Sequence, residues 1–508
     1  MDPFRQSWRR RARIFIQIRR GQCLLSDGTG QIVLRRQWNR GKTQRMKTTI
    51  KSLGAVILGG GLFISGCAKK QVALFQSLKN PELAAQLKSF VAEKEAQANA
   101  ATNKMPSEFQ AFFAVAAKGD WLAVSNAFVK LRKHSGKTDE RLRGTAWQAV
   151  LETWGALEAF GEGDEKYSML FGTNIIASIP AGSIYFGGTD AGRFIITALQ
   201  KSQVQTEPFF TLSQGALPDA MYLKYLRGMY GAKIYTPTDE DSKRTLQDYS
   251  QDFARRRSKN QLLPGEDITV GADGQIQFNG QMAVIQVKAL LAKLIFDKNP
   301  DREFYIEESF PFDWLYPYLE PHGLIFKLNH QPLPGLSDKI VEQDHDYWRS
   351  LVRPMIGDWL TDDTPVEQVA AFAKKTFGKQ DFSGFTGDRR FIQNAYSHRM
   401  FSKPRSSLAG LYAWRMQQAT GATEKDRMVR EADFAFRQAW ALCPDSTETV
   451  FRYVAFLMEQ KRFADALLVA ETAAQMPSVQ GQEGQSMRDV VVQLKQFLKA
   501  KQASSGEK

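Results

Sequence analysis

The stretch Ile179–Ala198 constrains the fold of this chain more than any other. Its sequence, IPAGSIYFGGTDAGRFIITA, predicts a short buried strand at Ser183–Phe186, a tight glycine turn, and a helix that begins at Thr189 or Asp190. Further strand candidates and helical runs alternate as far as residue 328. Such alternation predicts an α/β domain with a Rossmann-like, mostly parallel sheet.

The other predicted strands are short runs rich in β-branched and aromatic residues: Phe209–Ser213, Lys233–Thr236, Glu303–Glu307 and Leu324–Leu328. The helices between the strands are predicted at Gly192–Lys201, Asp219–Tyr230, Thr245–Arg256 and Gln281–Phe296. The stretch Asp267–Asn279 predicts a β-hairpin at the sheet edge, because Asp-Gly between alternating apolar residues favours a tight turn at Ala272-Asp273-Gly274.

The candidate ligand-binding residues are those that follow the strands, because ligands of open α/β sheets collect beyond the carboxyl ends of the strands. They are Gly187, Gly188, Thr189, Asp190, Arg193, Gln214 and Glu308. The glycines permit a tight turn, and free N–H groups at a helix start suit an oxyanion. Asp190 has a second interpretation as a structural N-cap, and Arg193 as a surface or paired arginine. The stretch matches neither GxGxxG nor GxxxxGK[ST], so no cofactor is expected.

Two further groups raise the question of catalysis or metal binding. Glu307, Glu308 and Asp313 supply carboxylates for acid–base chemistry, or else form a sheet rim that faces water. Asp344-His345-Asp346 has no second His or Cys at ligand spacing. The remaining histidines are scattered along the chain: His134, His322, His330 and His398. We therefore expect no metal and assign no catalytic residue.

The positive charge of the chain is concentrated at its start. Of the net charge of +14, residues 1–45 carry +10 and residues 46–66 carry +2, which leaves +2 for residues 67–508. We therefore do not expect residues 67–508 to bind nucleic acid through a basic surface. The three cysteines, Cys23, Cys67 and Cys443, do not suggest a disulfide framework, and Cys443 is expected to be a small buried residue.

The stretch Met46–Cys67, MKTTIKSLGAVILGGGLFISGC, has a positive start and an apolar run too short to span a bilayer comfortably. It resembles a bacterial lipoprotein signal peptide, in which the final cysteine, here Cys67, carries a diacylglycerol. Two or three acyl chains anchor a protein stably. We expect a periplasmic face and, because Ala68 follows the cysteine, the outer membrane rather than the inner. The alternative is a short helix that happens to end in Cys.

Both flanks of the sheet domain show helical patterns. In residues 67–165, Pro81-Glu82 and Pro106-Ser107-Glu108 begin helices, and the Trp and Phe stripe is expected to be core. Toward the other end, Arg430–Pro444 and Phe463–Pro477 each end in proline, 33 residues apart. With Leu408–Gln417 and Glu448–Met458 as first helices and Gln485–Lys499 as a capping helix, they predict two tetratricopeptide-like hairpins. The alternative is a bundle that only closes the sheet domain.

Four segments resemble one bacterial family: IYFGGTDAGRF, LSQGALPDAMYLKYLRGMYG, EFYIEESFPFDWLYPYLEPHGLIFKLN and FSKPRSSLAGLYAWR. The family comprises membrane proteins of unknown function related to protein O-mannosyltransferases, in which multi-spanning helices precede a soluble periplasmic domain. The resemblance covers residues 167–416 and only that soluble part. The catalytic acid and lipid-linked donor site of the glycosyltransferase relatives lie in the multi-spanning region, which this chain lacks. The resemblance therefore implies binding of a glycan, an acceptor or a partner, not transferase activity.

The predicted organisation runs in seven parts. They are a basic arm from a start codon assigned too early at 1–45, a signal peptide at 46–66, a helical region at 67–165, an α/β domain at 166–350, a helical connector at 351–404, tetratricopeptide-like repeats at 405–500 and a frayed tail at 501–508.

The leading hypothesis is a lipid-anchored periplasmic protein that binds or scaffolds a protein or glycan partner in the cell envelope. The alternative is a periplasmic enzyme of carbohydrate or envelope metabolism, associated with glycosyl transfer, that uses carboxylates at the carboxyl edge of the sheet. A third hypothesis is a cytosolic protein whose basic arm binds nucleic acid.

Overall fold

A computed structural model of the protein describes residues 73–102, 104–135, 144–200, 209–263, 265–270, 276–278, 280–308, 312–479 and 481–505. The basic arm, the signal-peptide stretch, Cys67 and the predicted turn at 272–274 lie outside these ranges. Within them, the chain is rich in helix and contains a small mixed sheet. Their helices include none with the length and apolar character that a membrane crossing requires.

The helices before the sheet pack on one another around an aromatic core. They are α1 (Leu74–Ser77), α2 (Pro81–Ala100), α3 (Ser107–Ala116), α4 (Trp121–Ser135), α5 (Ala146–Gly161) and α6 (Glu165–Ser178). The side chain of Asn80 caps α2 by accepting from two backbone N–H groups, and a proline fills the first helical position. The ring of Phe128 stacks on Trp154 at 4.2 Å and on Trp147 at 5.6 Å. The Trp and Phe stripe is therefore packed inside the helical layer.

The described strands are β1 (Ile184–Gly187), β2 (Phe210–Ser213), β3 (Ile268–Val270), β4 (Ile276–Phe278), β5 (Phe304–Ile306), β6 (Leu319–His322) and β7 (Ile325–Leu328). Five of them form one sheet in the order β2-β1-β5-β7-β6. Tyr185 of β1 is in parallel register with Thr211 and Tyr305, whereas Tyr305 is antiparallel to Lys327. The sheet is therefore mixed, with a parallel half and an antiparallel hairpin, and not mostly parallel as predicted.

One predicted strand is not a strand, and one observed strand was not predicted. Lys233–Thr236 is not a strand, because the backbone of Tyr235 pairs with a side chain: its N–H donates to Asn299 Oδ1 at 2.7 Å, and Asn299 Nδ2 donates to its carbonyl at 3.1 Å. The edge strand β6 was missed, because Pro321 lies within it and proline argues against a strand except at an edge.

The helices around the sheet lie close to their predicted positions. They are α7 (Asp190–Leu199), α8 (Ala220–Tyr230), α9 (Asp239–Ser258) and α10 (Gln281–Lys298). The predicted hairpin forms from β3 and β4, which pair antiparallel. It makes a separate two-stranded sheet and does not extend the edge of the main one.

Helices alone make up the described remainder of the chain. They are α11 (Asp338–Ile356), α12 (Val366–Phe372), α13 (Arg389–Gln393), α14 (Ala395–Gln418), α15 (Ala422–Leu442), α16 (Thr447–Glu459), α17 (Phe463–Ala474) and α18 (Gly481–Ser505). From α14 onward each helix packs on the next. The predicted boundary at 404/405 falls inside α14, which passes Pro404 without a break and is buried along most of its length.

Buried polar contacts join α14 to α11, the first helix after the sheet. Arg405 of α14 lies 2.7 Å from Asp344 of α11, and the hydroxyl of Tyr412 donates to the same carboxylate at 2.8 Å. The guanidinium of Arg405 also lies over the ring of Trp348 at 5.1 Å. The helices therefore share a continuous core with the sheet.

Candidate functional site

The carboxylate of Glu307 occupies the helix start that the sequence offers to an oxyanion. The N–H groups of Gly188 and Thr189 donate to its Oε2 at 3.0 and 2.7 Å, and the Thr189 hydroxyl donates to its Oε1 at 2.6 Å. Glu307 directly follows β5, the strand beside β1, and is only 2% exposed. A side chain of this protein therefore fills the cradle that a phosphate takes in many α/β proteins.

The residues at the start of α7 fit this arrangement. Thr189 is the N-cap, since its hydroxyl accepts from the N–H of Gly192 at 2.8 Å, and Asp190 is the first helical residue instead of the cap. A Cβ atom at Gly192 would collide with the Glu307 carboxylate. A glycine is therefore needed here because of the close approach of this carboxylate.

The hydrogen bonds offset a strong desolvation effect at Glu307. Burial raises the pKa of the carboxyl, and the donors from Thr189 and Gly188 oppose that rise. Burial raises the pKa of Tyr185 well above its usual value, with a contribution from Glu307, and its hydroxyl donates to the Gly192 carbonyl at 2.8 Å. The polar groups at this edge of the sheet are therefore buried and hydrogen-bonded to one another.

Two other predicted site residues, Arg193 and Gln214, lie on the side of β2. The guanidinium of Arg193 donates to the Ser213 hydroxyl at 2.8 Å, lies 3.7 Å from Asp190 and covers the ring of Phe194 at 4.0 Å. Arg193 is therefore a paired arginine. Gln214 is completely buried and donates from Nε2 to the carbonyls of Phe186 at 3.1 Å and Glu307 at 2.5 Å. Its Oε1 has no hydrogen-bond partner within the described ranges.

Glu308 faces the helices that follow the sheet and does not join Asp190. The hydroxyl of Tyr316 donates to its Oε1 at 2.8 Å, and Arg452 of α16 lies 3.5 Å from its Oε2. The same guanidinium lies 3.0 Å from Glu448. Glu308 is 3% exposed, so the expectation that Glu307 and Glu308 form a rim facing water was wrong.

A second group near the start of α7 was missed by the sequence analysis. Burial raises the pKa of Glu158 in α5 to about 8, and the carboxylates of Asp190 and Glu162 contribute to the rise. The hydroxyl of Tyr396 is buried near them without a hydrogen-bond partner among the described residues. No spacing signal links residues 158, 190 and 396, because they come from three distant segments.

Asp313 and Lys288 also have strongly shifted pKa values. Burial alone raises the pKa of Asp313 to about 7. Burial, with a contribution from Arg193, lowers the pKa of Lys288 to about 8. Such shifts occur at functional sites, although buried structural groups show them as well.

Two cavities in the described part of the chain lie away from the predicted site residues. One of about 230 Å³ is lined by Val341, Glu342, His345, Asp346 and Glu431. The other, of about 430 Å³, is lined by Thr173, Asn174, Ala177, Ser178 and Tyr347. His345 stacks on Phe434 with ring centroids 4.7 Å apart, so the first cavity has a packed histidine in its wall.

One group of side chains in the described chain has the composition of a metal site. His398, Cys443 and Asp445 each offer one atom, and these atoms lie within 4.8 Å of one another. Cys443 is buried as expected, but it contacts polar groups. No spacing pattern points to this group, because His398 lies 45 residues before Cys443.

The chain was compared with protein-family models, with curated proteins and with solved structures, and nothing matches it in any of the three comparisons.

Proposed function

We propose that this protein is a lipid-anchored component of the bacterial cell envelope that binds or scaffolds a protein or glycan partner. The anchor is the lipid on Cys67, at the periplasmic face and on the outer membrane. In this proposal residues 1–45 are absent from the mature protein. No nucleic acid is among the partners, since residues 67–508 have a net charge of only +2.

One observation supports binding over catalysis most directly. At the carboxyl edge of the sheet, where α/β enzymes hold substrates, Glu307 fills the helix start and Glu308 pairs with Arg452. The carboxylates that could act on a ligand thus form contacts within the protein. A partner would then be recognised on outer surfaces of the helices.

The finer architecture belongs to the same proposal. The parallel unit β1–α7–β2 is compatible with a Rossmann-like half-sheet. The pairs α14–α15 and α16–α17, followed by α18, are compatible with two tetratricopeptide-like hairpins and a cap. The proposed relation to the soluble domain of the O-mannosyltransferase-related family covers the half-sheet and ends within α14, since the four segments run from β1 to α14.

The enzyme alternative is favoured by Glu158. A carboxyl group with a pKa of about 8 beside the exposed Asp190 has the properties of a general acid with a neighbouring base. In that case purified protein would hydrolyse or transfer an envelope glycan. Glu158→Gln would abolish that turnover, whereas a binding module has no turnover to lose.

Metabolic labelling with radioactive palmitate tests the anchor. We expect label on the wild-type protein and on Cys23→Ser, and none on Cys67→Ser, because only the thiol at position 67 follows a lipoprotein signal. Fractionation should place the labelled protein with membranes. An unlabelled, full-length protein in the cytosol would contradict the anchor and favour the basic-arm hypothesis.

Photo-cross-linking in cells tests the binding role. A photoreactive residue at the exposed Leu122 or Met221 is expected to give a discrete adduct with an envelope protein or glycan. The same residue at the buried Phe109, if the protein folds, serves as the control and should give none. Adducts absent from both surface sites, together with glycan turnover that Glu158→Gln removes, would replace the binding role with the enzyme.

A further inference from the structure

Three different metal-binding side chains converge where the helical hairpins meet. His398 lies in the first turns of α14, Cys443 caps α15, and Asp445 lies in the turn before α16. Cys443 Sγ lies 3.0 Å from His398 Nδ1 and 2.9 Å from Asp445 Oδ1, and the last two atoms are 3.9 Å apart. All three residues are at most 6% exposed.

The three atoms surround a point that suits a metal ion. The centre of the circle through them lies about 2.0 Å from each atom, and zinc keeps about 2.0–2.3 Å from N, O and S ligands. Seen from that point, His398 Nδ1 and Asp445 Oδ1 lie in nearly opposite directions, because 3.9 Å separates them. A tetrahedral site therefore requires side-chain rotations that move the sulfur away from both atoms.

When no ion is bound, the sulfur belongs to a chain of hydrogen bonds. The imidazole can donate to the sulfur, and the thiol donates to the carboxylate. A bound cation would replace both hydrogen bonds, because the sulfur, the imidazole nitrogen and the carboxylate oxygen would each give a lone pair to it. The three atoms would then lie about 3.3–3.6 Å apart, as the tetrahedral ligands of zinc do.

We propose that His398, Cys443 and Asp445 form a binding site for Zn²⁺. Sulfur with nitrogen suits zinc, whereas Mg²⁺ and Ca²⁺ prefer ligand sets made of oxygen. The thiol gives up its proton to solvent on binding, and water completes a tetrahedral set. The exposed Ser478 donates to Asp445 Oδ2 at 2.5 Å and orients the carboxylate from outside.

Such an ion would fasten three elements together. It would tie the start of α14 to the end of α15 and to the turn before α16, and Ser478 would extend the connection to the end of α17. The ring of His398 is already held by Phe377, with ring centroids 5.4 Å apart. The ion would thus stabilise the packing of these helices, and the site is independent of the anchor and of the partner.

Metal analysis of the purified full chain tests the site. After exposure to Zn²⁺ and removal of free metal, we expect about one zinc per chain and one proton released per zinc. Cys443→Ser and Asp445→Asn should each weaken zinc binding at least tenfold. His330→Ala is the matched control, since this histidine is exposed, and it should bind zinc like the wild type.

Cobalt substitution keeps the proposal testable if the variants do not fold. Co²⁺ in the wild-type protein should give the near-ultraviolet charge-transfer band of a thiolate ligand. Wild-type protein that binds no zinc, or Co²⁺ without this band, would show a hydrogen-bonded cluster only. Variants of Cys443 and Asp445 that bind zinc as tightly as the wild type would place the metal elsewhere and overturn the assignment.

Discussion

Two glutamates near the start of α7 show how neighbours decide the state of a buried carboxyl group. Glu307 receives hydrogen bonds from Gly188 and Thr189, which favour its charged form. Burial raises the pKa of both carboxyl groups. At Glu307 the hydrogen bonds oppose that rise, whereas at Glu158 the neighbouring carboxylates of Asp190 and Glu162 add to it, and its pKa reaches about 8.

The raised pKa of Glu158 predicts a loss of stability with rising pH. In the unfolded chain its pKa is near 4.5, so the unfolded state releases the proton first, and the free energy of unfolding falls between pH 4.5 and about 8. Glu158→Gln removes this penalty. Allowing for solvent screening, it should raise the free energy of unfolding by about 2 kcal/mol near pH 9 and change it little near pH 5.

Urea unfolding at both pH values measures this effect. Glu342→Gln is the control, because this side chain is exposed, and it should change the free energy of unfolding by less than about 0.5 kcal/mol at either pH. Equal effects of Glu158→Gln at the two pH values would mean that the carboxyl group is not perturbed.

The sequence could predict the local part of this site and not the rest. The turn at Gly187 and Gly188 and the helix start at Thr189 follow from neighbouring residues. The partner of that helix start, Glu307, lies 118 residues away from Thr189, and its pairing follows only from the parallel register of β1 and β5. Single-sequence patterns carry no information on such register.

Helix α14 is buried along most of its length. Its periodicity predicted a helix over Leu408–Gln417, but the helix extends back to Ala395, through Pro404. A helix that is buried on most sides has no continuous polar face, so its hydrophobic pattern does not show where it begins. For this reason the predicted boundary at 404/405 falls inside the helix.

The ion pair that anchors α14 predicts a large effect of one substitution. Arg405 and Asp344 are both almost completely buried, with side chains 1% and 2% exposed. Arg405→Ala leaves the carboxylate buried without its partner, so the free energy of unfolding should fall by about 3–5 kcal/mol.

Denaturant unfolding at neutral pH checks this prediction. The control is Arg353→Ala, whose guanidinium pairs with Asp358 at 3.2 Å while both side chains are well exposed. It should cost less than about 1 kcal/mol. Equal costs for the two arginines would show that the Arg405 contact does not stabilise the fold.

At the scale of the whole molecule, the sheet and the later helices form one folding unit. Arg452 and Arg405 reach from the helices to Glu308 and Asp344, and Arg415 donates to the carbonyl of Leu333 at 2.8 Å. The predicted division at residue 350 does not separate these contacts.

A chain that ends at Asn394 is therefore expected not to fold. Its loss of α14–α18 would remove the charge partners of Glu308 and Asp344 and would expose the apolar core that these helices cover. Circular dichroism and tryptophan fluorescence during urea unfolding should show no cooperative transition. A chain that begins at Ala68 is the control and should unfold cooperatively, and a cooperative transition in the shortened chain would refute a shared core.

The internal carboxylate at the start of α7 also sets how the protein responds to its surroundings. A group held on the same chain acts at an effective concentration that a dissolved anion rarely reaches. Phosphate-bearing metabolites would have to displace Glu307 from its donors before they could bind there. Changes in the concentration of such compounds would therefore have little effect on the fold.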